Sequence, residues 1–61
     1  MSLPKIGAPA TRALATIGVT QLEDLTQYRA EDLLVLHGFG PRALRILTDA
    51  LHADGLALRP R

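Results

Sequence analysis

The sequence predicts an all-α domain, and three observations carry that expectation. No stretch of the chain alternates apolar and polar side chains with the period of two that a half-buried strand needs. Glycines and prolines separate short segments whose apolar residues recur at helical spacing. Those segments begin and end with residue types that open and close helices.

The first predicted helix covers residues 8–17, with Pro9 in a first turn where a missing N–H costs nothing, and Gly18 ready to cap its end. Thr20-Gln21-Leu22-Glu23 reads as a capping box, the Thr20 oxygen and the Glu23 carboxylate satisfying orphan donors ahead of Leu22 and Leu25. A third short helix is predicted over 30–36. Glu31 and Asp32 stand in its first turn, where the dipole favours acids, although Arg29 is a poor N-cap. His37-Gly38-Phe39-Gly40-Pro41 is a tight turn leading into a longer helix from Pro41 to about Asp54, which ends at Gly55. Leu44, Leu47 and Leu51 form its buried stripe with Ala43, Ile46 and Ala50 beside them, while Arg42, Arg45, Asp49 and His52 face outward.

Sixty-one residues make one small domain, expected over 3–58 with a frayed basic tail at 59–61, and leave no room for paired substrate and catalytic domains. Cysteine is absent and histidine occurs twice, so neither disulfides, a metal site nor any cofactor is expected. The single serine is Ser2, and the carboxylates stand where caps and dipoles want them. No enzyme is expected. No apolar run approaches the roughly 20 residues of a membrane span, and the start lacks the order of a signal peptide; the expectation is a cytoplasmic protein with no membrane partner.

An internal repeat sharpens the reading. Leu3-Pro4-Lys5-Ile6-Gly7-Ala8-Pro9-Ala10-Thr11-Arg12-Ala13-Leu14 lies over Leu36-His37-Gly38-Phe39-Gly40-Pro41-Arg42-Ala43-Leu44-Arg45-Ile46-Leu47, and each copy later reaches a glycine followed by an apolar residue.

Leu36-His37-Gly38-Phe39-Gly40-Pro41-Arg42-Ala43 resembles the helix-hairpin-helix motif, in which Gly-apolar-Gly precedes a helix opened by a basic and a small residue. Residues 6 to 58 further resemble the C-terminal domain of the bacterial RNA polymerase alpha subunit, most closely its small stand-alone prokaryotic relatives, including Glu23-Asp24-Leu25, Leu33-Leu34 and Gly55-Leu56-Ala57-Leu58. The resemblance implies a SAM-like bundle of four to five short helices with two helix-hairpin-helix elements that touch DNA, often without strong sequence preference. In gapless alignment the arginine with which that polymerase domain enters the minor groove falls on Pro9, its helix-one asparagine on Arg12 and its hairpin asparagine on Gly38. Its hairpin glycine matches Gly40, and the second of its two lysines matches Arg42. The resemblance therefore implies phosphate binding rather than promoter reading. It also admits a monovalent cation at the hairpin carbonyls.

The residues agree with that chemistry. Gly38 and Gly40 let the backbone turn sharply and approach a ligand, and free N–H groups at the start of the following helix suit a phosphate oxygen. Phe39 would plug into the core, Arg42 would stand just inside the helix, and Arg45 a turn further along the same face, unless it pairs with Asp49. Lys5, Gly7 and Arg12 repeat the arrangement more weakly, because Pro9 stands where the second copy has Arg42. His37 and His52 read as solvated, and Tyr28 as a core anchor. Net charge is only +1, yet Lys5 and Arg12 lie in an acid-free first stretch, Arg42 and Arg45 in another, and four acids between them. The leading expectation is a monomeric or weakly dimeric module that binds DNA phosphates. The alternative is a protein-interaction module that docks through the acidic middle helices or Leu56-Ala57-Leu58.

Overall fold

The computed structural model describes residues 2–60, which form four helices and no strand. Helix α1 spans Ala8–Thr16, a 3-10 helix follows at Leu22–Gln27, α2 is Ala30–Leu34, and α3 is Pro41–Ala53. No helix among the described residues is long and apolar enough to cross a membrane.

The repeated sequence builds repeated ends. Gly7 and Gly40 are the N-caps of α1 and α3, and each carbonyl accepts the N–H four residues on, from Thr11 at 3.0 Å and Leu44 at 3.1 Å. Both helices finish in the same Schellman arrangement. Val19 N–H reaches Leu14 O at 3.0 Å and Leu56 N–H reaches Leu51 O at 2.8 Å, with Gly18 and Gly55 between. Val19 and Leu56 thereby turn inward onto the core.

That core is aliphatic: Leu14, Leu25, Leu33, Leu47 and Leu51 are fully buried, joined by Ala10, Ala13, Val19, Leu22, Phe39 and Ala43. Along α3 the buried stripe is Ala43, Leu47 and Leu51, at i, i+4 and i+8, with Leu44, Ile46 and Ala50 half-buried beside it and Arg42, Arg45, Asp49 and His52 exposed. This stripe packs against both the 3-10 helix and α2. The Cα radius of gyration, 10.1 Å, matches the roughly 10.5 Å of a compact chain this long, so little of the chain strays from the core.

Four expectations need correction. The second helix is 3-10, and its cap lies one residue later than the Thr20/Glu23 pairing implies: Gln21 is the N-cap, and Asp24 Oδ2 accepts from Gln21 N–H at 3.1 Å and Thr20 N–H at 3.2 Å. Adjacent acids make either register plausible in sequence, and the shorter aspartate at N3 reaches back. Second, the helix expected over 30–36 stops at Leu34, because Leu36 N–H tightens onto Leu33 O at 3.1 Å to carry Phe39 into the core. Leu34 and Val35 are left outside, 42% and 81% exposed. Its start is held by Asp32 Oδ2, which accepts from Arg29 N–H at 3.0 Å.

Third, the tail does not fray at Arg59, whose N–H donates to Tyr28 O at 2.8 Å; Leu56 and Leu58 pack on the core and are not offered as a docking surface. Tyr28 is itself anchored, its hydroxyl donating to Ile17 O at 3.0 Å. Arg61 lies outside the described residues. Fourth, of the two turn glycines only Gly38 is conformationally special. Its φ is +88°, and a Cβ there would sit 3.0 Å from the Pro9 carbonyl oxygen, whereas Gly40 has an extended backbone and open space around it.

Gly38→Ala should therefore lower the urea midpoint by the equivalent of more than about 1 kcal/mol, and Gly40→Ala should move it by less than about 0.5 kcal/mol. Asp24→Ala should cost about 1 kcal/mol while Thr20→Ala costs little. Equal losses at the two glycines would contradict the close approach at Gly38.

Candidate functional site

The close approach of Gly38 to Pro9 brings the turn at 36–40 against the first turn of α1, so the starts of α1 and α3 become neighbours. Between them lies an open cleft of about 400 Å³. Lys5, Gly7, Gly38, Gly40 and Arg42 line it, five of the eight residues singled out from sequence. Its apolar walls are Ile6, Ala10, Ala43 and Ile46.

Local chemistry makes this cleft unlike the other helix starts. Asp24 and Asp32 bring carboxylates to the starts of the 3-10 helix and α2, and both have two acids in the first turn. Neither α1 nor α3 has a capping side-chain hydrogen bond or an acid in its first turn. First-turn N–H groups have no intrahelical partner and carry the positive end of the dipole, so both ends hold unanswered positive potential. Pro9 and Pro41 delete one donor from each turn, leaving Ala8 and Ala10 in α1 and Arg42 and Ala43 in α3.

Two cations add to that potential. Lys5 and Arg42 are exposed, no carboxylate lines the cleft, and no hydrogen bond or ion pair holds either side chain among the described residues. A compact anion with several acceptor oxygens fits such a set: backbone donors fix its position while lysine and arginine answer its charge.

The remaining candidates are distributed differently. Phe39 is buried at 6% exposure and holds the turn from inside. Arg45 is exposed but does not line the cleft; Ile46, at i+4 from Arg42, does. Four residues advance a helix by about 40° and three by about −60°, so Ile46 and Arg45 fall to either hand of Arg42, and only Ile46 falls on the cleft. Arg12 lies in an adjoining groove with His37. Sequence reasoning missed that pairing, since only the tertiary contact of the 36–40 turn with α1 creates it. It also missed Ala10 and Ala43, although their equivalence in the repeat is a usable signal.

Comparison with known proteins found no matching family model, no matching curated protein and no matching solved structure.

Because no hydrogen bond or ion pair holds the Lys5 or Arg42 side chain among the described residues, Lys5→Ala and Arg42→Ala should each change unfolding stability by less than about 0.5 kcal/mol. Phe39→Ala should cost about 3–5 kcal/mol, and Phe39→Leu under about 1.5 kcal/mol. Urea unfolding measures all four, and a large loss at Arg42 would reassign it to the fold.

Proposed function

We propose that this chain is a non-enzymatic DNA-binding module that grips the sugar-phosphate backbone at the cleft between its two helix starts, as a helix-hairpin-helix domain does, with little regard for base sequence. The observation that supports this most is the pair of uncapped helix starts, with no acid in either first turn, opening on one cleft beside the unpaired Lys5 and Arg42. Gly38 and Gly40 bring backbone close to the strand, Phe39 holds the hairpin in register, and Arg42 and Lys5 supply charge. Arg12, in the adjoining groove, and the exposed Arg45 extend the basic surface. The resemblance at Leu36–Ala43 points the same way. With few phosphates engaged, affinity is weak, and such a module serves best beside a second one or in several copies.

A rival of another class has one observation in its favour. Leu34 and Val35 are exposed next to Glu31 and Asp32, an apolar spot with an acidic border that suits a basic protein partner.

Anisotropy titrations of labelled duplexes against salt decide between the two. Two to four phosphate contacts should give a log K against log salt slope of roughly −2 to −4 and dissociation constants of about 10⁻⁴ to 10⁻⁶ M near physiological salt. Arg42→Ala should lower the slope by about one for every duplex tested, Arg45→Ala by less. Loss confined to one sequence would mean base reading. No salt-sensitive binding, together with a stoichiometric partner that Glu31→Lys and Asp32→Lys release, would establish the protein-interaction role instead.

A further inference from the structure

Beside the cleft runs a second groove of about 420 Å³, and Gly38 is the wall the two have in common. Pro9, Ala13 and Leu36 give it an apolar floor, Thr16 a hydroxyl, and Arg12 and His37 its only charged and titratable groups. They come from both elements that build it. Arg12, Ala13 and Thr16 belong to α1, and Leu36 and His37 to the turn before α3; no carboxylate enters from either. Leu36 and Phe39 pack on the core while His37 and Arg12 are exposed, and neither of these two exposed side chains has a partner among the described residues.

A site with apolar floor and cationic rim matches a nucleotide unit, a sugar ring carrying a phosphate. We infer that this groove is a second subsite for the strand, in which Arg12 and protonated His37 hold the phosphate next to the one gripped at the cleft while its sugar lies on Pro9, Ala13 and Leu36. The inference rests on the backbone-binding reading above and adds to it a pH dependence. Imidazole joins the phosphate contacts only when charged, so affinity rises as pH falls and declines as pH rises. Leu34 and Val35 take no part.

The test is duplex binding at fixed ionic strength at about pH 5.5 and about pH 8, with wild type, His37→Gln, His52→Gln and Arg42→Ala. Wild type should bind about tenfold tighter at the lower pH, and its salt slope should steepen by roughly one. His37→Gln should match wild type at the higher pH and lose the gain at the lower one; His52→Gln should keep it. If His37→Gln keeps the whole gain, or His52→Gln abolishes it, while Arg42→Ala still weakens binding, the subsite is rejected and the backbone-binding reading stands. Absence of salt-sensitive binding at both pH values rejects the two together.

Discussion

The rest of the molecule depends on one close contact, that of the Gly38 backbone with Pro9. A side chain at position 38 would meet the Pro9 carbonyl at 3.0 Å, and the φ of +88° excludes most residues independently of space. The contact does more than close a turn. It carries the start of α3 to the start of α1, aligns two halves of a duplicated sequence, and creates on its flanks the two grooves in which every free cation of the repeat except Arg45 is found. Glycine at 38 is thus a packing requirement. The neighbouring Gly40 carries no such requirement: its space is open, and its task is to end the turn in extended geometry ahead of α3.

Charge follows the same division. Helix starts in the middle of the chain carry their own acids, Asp24 and Asp32 closing onto backbone donors, so their dipoles are answered internally. The starts of α1 and α3 have no such answer, and the two charged side chains that line their cleft are both basic. A net charge of +1 conceals this, because the acids balance the sum without neutralising the cleft. The acids that cap helix starts and the cations that line the cleft therefore belong to different helix ends.

Much of this was legible in sequence where the signal is local. The Gly/Pro punctuation marks α1 and α3 to within a residue, and the repeat pairs Gly7 with Gly40, the two residues that prove to be the N-caps of those helices. What was not legible depended on contacts between distant segments. Which of Gly38 and Gly40 is constrained is decided by Pro9, some thirty positions away. Leu34 and Val35 extend the apolar run that predicts a helix to residue 36, and only the tightening of the chain after Leu33 leaves them outside. Arg12 and His37 share a groove for the same reason. Choosing Asp24 over Glu23 needed the backbone path, since both acids satisfy the pattern.

The most direct test of the central claim, that both helix starts act as one anion-binding face, is an amide chemical-shift titration of the labelled protein with a short duplex at low salt. Shifts should gather at Gly7, Ala8, Ala10, Gly38, Gly40, Arg42 and Ala43 and follow a single saturation curve, leaving Glu31, Asp32, Leu34 and Val35 unmoved. Shifts centred on residues 31–35, or two helix starts that saturate independently, would contradict it.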